Sequence, residues 1–464
     1  MEAENNPENS DENASKPLKI ALIHVINDKS KSSMNKDLNG GFGTSDYFGE
    51  SFTSKALMKF KKKNVRLPII TLAFLQAIFK SQGHQVSYFE GSLPKEKFDL
   101  GLIYGTIVDI SNENNVLIKL KAQFPDSKIG FIGPFPATRP DLFASGDFVL
   151  LGESEGYFMN DFKSLDGMKG QILVATQTDL DALPSPDYSG FPLNKYSYSP
   201  AIAVKPFVPL IASKGCPYSC KAYCVYGNYQ GPKIRQRSAQ KVVDDIIKVQ
   251  KEFGVKGVQF RDPVFGLNRA FIPQFCEEIK KRNVKIYWGM ETRLDILNEE
   301  NLKQMFDAGL RNINVGIETI VPEIAKKNKR LLVQTKHQEK IIAICKKLGI
   351  KISAFYIIGY MGDTIETVEN TIKYAIKLNT SVARFCVSTP YPGTQFYYDM
   401  SKEDKLLTKD YEQYTQFNLV YKHENFTPDQ ITNLLQGAYR KYYYRPTFLF
   451  STLMWKIRDL RLLA

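Results

Sequence analysis

Val208-Pro209-Leu210-Ile211-Ala212-Ser213-Lys214-Gly215-Cys216-Pro217-Tyr218-Ser219-Cys220-Lys221-Ala222-Tyr223-Cys224 runs from an apolar, strand-like stretch into a segment that holds three of the chain's six cysteines. On a straight helix Cys216 and Cys224 would stand about 12 Å apart at roughly 1.5 Å per residue, too far to share one metal centre. Pro217 also disfavours helix at Cys216. The segment is therefore a loop leaving a strand and wrapped round something. Thiolates this crowded imply a metal, because soft sulfur ligands select zinc or iron–sulfur clusters. A closed structural zinc site needs four ligands. No fourth cysteine lies nearby in sequence, nor does any of the four histidines, His24, His84, His337 and His423. Three cysteines alone suit a four-iron cluster with one iron left open, with zinc as the rival. Cys276, Cys345 and Cys386 lie singly in apolar-periodic stretches and read as buried small hydrophobes.

Downstream of this loop, apolar runs and amphipathic stretches alternate steadily. Strands are expected at 208–213, 257–261, 285–289, 312–316, 351–358 and 383–388, and helices at 239–253, 271–282, 299–308, 337–348 and 365–378. Gly254, Gly309 and Gly349 mark helix ends. Six strands with helical crossovers describe a partial parallel barrel, shorter by about two βα units than the eight-stranded form. Chemistry in such barrels sits where the strands end. Asp262, Glu291, Arg293, Glu318 and Tyr360 fall at those ends. A helix-capping role accounts for one such residue more easily than for a set of them.

Upstream, strands at 19–25, 85–89, 99–104, 128–132 and 148–151 alternate with helices at 69–80 and 116–124. This pattern predicts a doubly wound, Rossmann-like parallel sheet covered on both faces. Open sheets bind ligands at the carboxyl ends of their strands, which here carry Gly105-Thr106, Gly133-Pro134 and Gly152-Glu153. The expected organisation is α/β: a disordered polar tail (1–16), the N-terminal domain (17–163), a proline-rich connector (164–207), the barrel (208–396) and a C-terminal helical region (397–464). The last stretch interleaves Arg440, Lys441, Arg445, Lys456, Arg458 and Arg461 with Tyr442, Tyr443, Tyr444, Phe448, Phe450 and Trp455. It reads either as an amphipathic helix packed on the barrel or as a peripheral membrane contact.

The bulk figures are those of a soluble globular chain. The 464 residues are 43% hydrophobic and 24% charged, enough for two or three cores. The start of the chain lacks a signal-peptide pattern, and no apolar run reaches about 18 residues, so a cytoplasmic location is expected. The net charge of +13 is spread along the chain, which suits a solvated basic surface better than a nucleic-acid site.

On these residues the chain resembles the radical S-adenosylmethionine (SAM) superfamily, and in particular its cobalamin-binding branch. The cysteine loop at the first strand carries the resemblance. Val258-Gln259-Phe260-Arg261-Asp262 is similar to the second-strand motif that receives the methionine amino group. Asn314-Val315-Gly316-Ile317-Glu318-Thr319 resembles the fourth-strand motif near the ribose. Ile357-Ile358-Gly359-Tyr360-Met361-Gly362-Asp363-Thr364 resembles the fifth-strand glycine motif, and Thr389-Pro390-Tyr391-Pro392-Gly393-Thr394 the ending after the sixth strand. One feature departs from the family spacing Cys-x-x-x-Cys-x-x-Cys. Three residues separate Cys220 from Cys224, and with Tyr223 at the usual aromatic position the additional residue is Lys221 or Ala222.

The resemblance implies a 4Fe–4S cluster on Cys216, Cys220 and Cys224. It places SAM against Asp262, Arg293, Glu318, Gly359 and Tyr360, with Val225 and Tyr226 near the adenine. The N-terminal domain, with Leu67-Pro68 opening its first helix and Gly83-His84 closing it, resembles the cobalamin-binding domain. Its crevice would be formed by Gly105, Thr106, Gly133, Pro134, Gly152 and Glu153. The motif Asp-x-His-x-x-Gly is absent, so cobalamin would lack a protein histidine below the cobalt. The implied reaction is reductive cleavage of SAM to a 5′-deoxyadenosyl radical that functionalises an unactivated carbon, most simply by methyl transfer and alternatively by cyclisation or rearrangement. Implied partners are a small-molecule or lipid substrate and an external electron donor of the flavodoxin or ferredoxin type, without nucleic acid. A tRNA methylthiotransferase and a non-catalytic cobalamin or iron–sulfur carrier are the readings from other classes. The first would normally bring further cysteines in its N-terminal domain, and none precedes Cys216.

Overall fold

The computed structural model describes residues 16–27, 32–47 and 49–463. The tail expected before residue 17 lies almost wholly outside them. Two six-stranded parallel sheets organise the chain. The first contains β1 (Lys19–His24), β2 (Gln85–Glu90), β3 (Leu100–Tyr104), β4 (Lys128–Ile132), β5 (Phe148–Leu151) and β6 (Gly170–Leu173) in the order β2-β1-β3-β4-β5-β6. The order reverses at β1, so the point where ligands enter such sheets lies between the carboxyl ends of β1 and β3. Buried apolar runs such as Leu100–Tyr104, with neighbours on both faces, are what a sheet covered twice requires.

β6 lies inside the stretch expected to be connector. Its residues are largely exposed, with Leu173 at 84%. Four residues with little apolar burial give no periodic signal, and β6 persists because the exposed edge of β5 pairs with it. The helix α1 (Phe52–Asn64) was also not anticipated. It follows from Ser51, whose side chain caps the backbone of Ser54. α2 (Ile70–Ser81) and α3 (Ile110–Gln123) cover opposite faces of the sheet.

The second sheet is β7 (Phe207–Leu210), β8 (Gly257–Phe260), β9 (Tyr287–Thr292), β10 (Leu310–Glu318), β11 (Lys351–Ile358) and β12 (Val382–Val387), paired in sequence order. Crossover helices α4 (Ala239–Phe253), α5 (Phe271–Lys281), α6 (Glu299–Asp307), α7 (Thr335–Leu348) and α8 (Ile365–Leu378) cover its outer face. Each arises from the expected pattern. In α4, for example, Val242, Val243, Ile246 and Val249 form a buried stripe behind the Ser238 cap. β7 and β12 do not pair, so the barrel is open between them.

N-terminal residues close that opening. Lys61 of α1 reaches Asp46, which also pairs with Arg384 of β12. Tyr198, from a short ladder with Val65–Arg66, accepts a hydrogen bond from Asn314 of β10 at 2.8 Å. One apolar core, running from Ile20 to Phe448, is shared by both sheets.

The C-terminal residues divide between the two readings offered for them. α9 (Pro428–Tyr443) packs on the barrel, with Tyr439, Tyr442 and Tyr443 donating to the carbonyls of Phe385, Thr380 and Ala383. α10 (Pro446–Leu463) exposes Leu449, Phe450, Leu453, Met454 and Ile457 along one side. No helix among the described residues is long and apolar enough to cross a membrane.

Candidate active site at the barrel mouth

The cysteine loop is held at both ends. Ser213–Lys214 pairs antiparallel with Arg235–Gln236, which closes the loop behind β7. Gly215, just inside, has φ of +91°, and a Cβ there would lie 2.0 Å from the Lys233 carbonyl oxygen, so only glycine fits. Within the loop Ser219–Ala222 forms a 3₁₀ turn, and the amides of Tyr223 and Cys224 both donate to the Cys220 carbonyl at 3.0 and 2.9 Å. The additional residue between the second and third cysteines is taken up in this turn.

The three thiols interact with one another. Cys216 is buried, whereas Cys220 and Cys224 are partly exposed. The hydrogen bond from the Cys224 thiol, followed by the Arg330 and Arg293 guanidiniums, brings the Cys220 thiol down to about 7 against the opposing effect of burial. That same bond, with burial, holds Cys224 well above the usual range. Burial pushes Cys216 up, opposed by the same two arginines. Two cations beside the thiols, Arg293 buried and Arg330 partly buried, form the electropositive setting that favours thiolate ligands. Among the described residues no set of three His, Cys, Asp or Glu side chains converges on a single metal ion. A donor set of three cysteines leaves a closed zinc site one ligand short and matches the thiolate ligands of an iron–sulfur cluster.

A cavity of about 310 Å³ opens beside the loop, with Cys224, Tyr223, Tyr226, Arg261, Glu291 and Glu318 on its wall. Its size lies at the lower end of the range for small-molecule sites. Glu318 ends β10 at a bulge with φ of +69°, an uncommon backbone conformation for a glutamate that re-aims its side chain. Burial raises its carboxyl, with Arg330 and Arg293 opposing. Arg293 lies 4.3 Å over the Tyr218 ring and is oriented by Asp295 at 3.0 Å.

The remaining expected SAM contacts are placed differently. Asp262 is fully buried and turned toward the backbone of the loop, accepting from the Ala212 amide at 2.8 Å and the Ser213 hydroxyl at 2.6 Å. It does not line the cavity, whereas its neighbour Arg261 does. Gly359 and Tyr360 stand behind the wall. The Gly359 carbonyl accepts from Tyr421, and the Tyr360 ring meets Tyr223 edge-on at 5.5 Å. Val225 and Tyr226 follow Cys224 directly and pack on Gly40.

Sequence reasoning missed the residues that come from elsewhere in the chain. Arg330 sits in the run Lys326-Lys327-Asn328-Lys329-Arg330, which looks like a solvated charge cluster, yet its guanidinium donates to the Gly316 carbonyl beside Glu318. Asp37, from the crossover after β1, accepts from Arg261 at 3.1 Å, and Arg261 also contacts Glu291. The position of Arg261 inside the second-strand motif was the available signal. Asp37 had none.

At the N-terminal sheet the six expected crevice residues separate into two groups. A Cβ on Gly105 would lie 2.5 Å from Pro136, so that turn is packed shut by the chain itself. Thr106 is buried, and its amide and hydroxyl both donate to Glu113. Gly133 and Pro134 are covered by Tyr104 and Gly41, and Phe42 packs edge-on against Phe135 and Tyr391. Lys36 anchors this covering segment in a buried triad with Asp109 at 2.8 Å and Glu113 at 2.6 Å. Gly152 alone opens onto a hollow, of about 220 Å³, between the sheet and the barrel. Thr138, Val225, Asn228, Tyr229 and Gly393 also line it. Glu153 is engaged by Arg235 at 2.6 Å and Lys214 at 3.4 Å, and so fastens the cysteine loop to the N-terminal domain. His24 and His84 lie away from this hollow, against Tyr88 and the Leu18 amide.

Comparison with known proteins agrees with this arrangement. Residues 210–375 match the Radical SAM superfamily. An uncharacterized methyltransferase of Pyrococcus horikoshii is 32% identical over 273 residues, which is 58% of each chain. The anaerobic magnesium-protoporphyrin IX monomethyl ester cyclase of Rubrivivax gelatinosus is 28% identical over 65% of this chain and 55% of its own. The chain thus spans little more than half the length of these relatives. Among solved structures, the radical SAM methyltransferase TsrM of Kitasatospora setae, with tryptophan and a SAM analogue bound, superposes with a TM-score of 0.65 at 16% identity over 91% of this chain and 89% of its own. OxsB, a cobalamin-dependent SAM radical enzyme with aqua-cobalamin and SAM bound, gives 0.65 at 14% identity over 91% and 66%. Residues 210–375 thus carry the likeness to the radical SAM superfamily, and the fold of the chain is similar to that of these solved enzymes.

Proposed function

We propose that this chain reductively cleaves SAM at a 4Fe–4S cluster held by Cys216, Cys220 and Cys224, and uses cobalamin to methylate an unactivated carbon of a small molecule. The observation that carries the reading is the gathering of three interacting thiols with Arg293, Arg330 and Glu318 at the barrel's strand ends, where Cys224 and Glu318 line a cavity. When bound, the cluster and SAM supply a carbon-centred radical, and cobalamin supplies the methyl group. The protein's own residues position and protect. Glu318, Tyr226 and the Arg261–Glu291 pair would hold the polar parts of SAM. Arg293 and Arg330 favour the thiolate forms of Cys216 and Cys220. The segment from Lys36 to Phe42, with α1, closes the chamber against water.

The hollow at Gly152 supports a corrin site through its amide and hydroxyl groups and its glycine wall. A corrin is larger than that hollow, so its entry requires the segment around Gly41 to withdraw from Gly133. His24 and His84 line no part of it, so neither would serve as a ligand to a cobalamin held there. Cyclisation is the second reading, supported by the similarity to the ester cyclase. Reduction needs an external donor of the flavodoxin or ferredoxin type. The exposed apolar row of α10 supports a peripheral membrane contact, which liposome sedimentation of the whole chain would test.

The central test is anaerobic reconstitution of the wild type and the triple Cys→Ala variant, followed by iron and sulfide analysis and by dithionite-driven release of 5′-deoxyadenosine. Iron and release in the wild type alone are expected. Equal iron in both, or zinc in place of iron, overturns the cluster assignment. Mass analysis of the product separates methyl transfer from cyclisation, since only the former adds a methyl group.

A further inference from the structure

The cysteine loop lies against the turn that follows the short helix Pro322–Lys327. The Ser219 hydroxyl donates to the Lys329 carbonyl at 2.9 Å. Arg293, which stacks on Tyr218, donates to the Leu331 carbonyl at 3.3 Å. The run Lys326-Lys327-Asn328-Lys329-Arg330-Leu331 is thus fastened along the loop, and its side chains divide between two sides. Asn328 and Arg330 turn inward, to the carbonyls of Met361 and Gly316. Lys326, Lys329 and Leu331 are exposed, as are Pro217 and Ser219 of the loop. Cys220, next to Ser219, is partly exposed.

Lysine is a costly choice at position 329. The helix ends with the Lys329 amide donating to the Lys326 carbonyl at 3.1 Å and the Arg330 amide to the Ala325 carbonyl at 2.8 Å. This closure puts Lys329 at φ of +54°, a left-handed position that glycine takes without strain. A charged side chain kept there against that cost points to a use for its charge. The carboxylates next to the run are already committed, Asp295 to Arg293 at 3.0 Å and Glu424 to Lys327 at 2.8 Å. Among the described residues neither Lys326 nor Lys329 has an ion-pair partner, Glu323 of the same helix included. Two unpaired cations, an exposed leucine and an exposed proline therefore border the turn that carries Cys220.

We propose that this face docks an acidic electron-donor protein, a flavin or iron–sulfur carrier whose anionic surface meets Lys326 and Lys329 and whose apolar contact is with Leu331 and Pro217. One electron leaves the donor and enters at the cysteine loop for each SAM cleaved. The donor is oxidised by one electron, and the sulfonium C5′–S bond breaks to give methionine and the 5′-deoxyadenosyl radical. Redox encounters of this kind bury little surface and draw their rate from complementary charge, so a patch of this size suffices. This assignment rests on the proposal that the three cysteines hold a reducible cluster.

The test measures binding of an acidic flavodoxin to the reconstituted full chain by calorimetry. It also measures 5′-deoxyadenosine release driven by reduced flavodoxin or by reduced methyl viologen, a small cation. Raising the salt from about 10 to about 100 mM shortens the screening length from roughly 30 to roughly 10 Å, so wild-type binding should weaken across that range. Lys326→Gln combined with Lys329→Gly should weaken binding about tenfold, severalfold for each exposed pair lost, and slow flavodoxin-driven release alike. Release driven by methyl viologen should stay at the wild-type rate. Lys329→Gly relieves the left-handed backbone, so its Tm should not fall and a weaker complex cannot be ascribed to a damaged fold. Lys326→Gln alone, at an ordinary helical position, keeps the proposal testable if it does. Lys119→Gln, on α3 of the N-terminal domain, should change nothing. Unaltered flavodoxin affinity in the double variant, binding indifferent to salt, or an equal loss in Lys119→Gln overturns the proposal. Transfer RNA is titrated alongside, and a loss confined to its binding overturns the choice of partner. These failures leave the radical reading standing if methyl viologen still drives release. Wild type that holds no iron and releases nothing with methyl viologen overturns the radical reading, whatever flavodoxin binding shows.

Discussion

Replacing Glu153 by alanine removes the carboxylate that ties the cysteine loop to the N-terminal sheet. The side chain is 4% exposed. Burial alone would raise its carboxyl, but Lys214 and Arg235 overcome this and hold it below the ordinary range. In Glu153→Ala, Lys214 keeps Glu155 at 3.2 Å. Arg235 keeps the carbonyls of Gln177 at 2.6 Å and Gln230 at 2.8 Å but loses its carboxylate partner. Breaking a buried pair costs roughly 3–5 kcal/mol, and the retained acceptors place this case near the lower figure. At about 1 °C per kcal/mol for a chain of this size, Tm should fall by about 3 °C. The ladder at Arg235–Gln236 also closes the cysteine loop, so iron loading should fall with stability. Glu153→Gln should recover little, because shape returns without charge. The assay is anaerobic calorimetry of apo and reconstituted protein with parallel iron analysis. A Tm loss below about 1 °C with full loading would refute the reasoning.

Gly215→Ala forces a Cβ against the Lys233 carbonyl at positive φ, costing about 1–3 kcal/mol of strain. Its reconstituted iron should fall well below wild type, and undiminished iron would show that the loop rearranges freely. Asp262 supplies a pH test. Burial raises its carboxyl to about 7, above its unfolded value near 4. Its stability contribution is therefore complete below about pH 4 and lost as pH rises through 7, on the order of 4 kcal/mol in all. Asp262→Asn should flatten that dependence in denaturant titrations at pH 5 and pH 8, and an equal slope in both proteins would exclude Asp262 as its source. For the corrin site, hydroxocobalamin should remain bound after desalting and raise amide hydrogen exchange across residues 37–43. Retention without a change in exchange would place the corrin elsewhere.

Much of the fold could be read because its elements are long and periodic. Each of the six barrel strands was anticipated within a few residues, and α4 and α8 carry the expected buried stripes. The cysteine loop was legible because thiols at this spacing have few other uses. The rest depended on contacts between residues far apart in sequence. Nothing in Lys36, Asp37 or Asp46 marks them as neighbours of the barrel, because no local period or cap forces the crossover after β1 to lie across the barrel mouth. Residues expected as ligands are held by partners within the chain for the same reason. Asp262, Thr106 and Glu153 are polar groups at strand ends, but each is buried with partners that use its hydrogen-bonding capacity.

This exchange of roles has a common physical cause. A reaction chamber that must exclude water cannot leave its loops loosely attached, and every loop brought under cover has backbone and charge to satisfy. Asp262 satisfies the backbone of the cysteine loop, Glu153 its flanking cations, and Glu113 both Thr106 and Lys36. The positions that face the cavity are then the neighbours of these fasteners: Arg261 beside Asp262, Gly152 beside Glu153 and Leu38 beside Asp37. Along an extended backbone successive side chains point to opposite sides, so a residue that anchors the loop leaves its neighbour to line the chamber. The motif positions thus lie within one residue of the cavity wall, and burial separates the lining residue of each pair from its anchored neighbour.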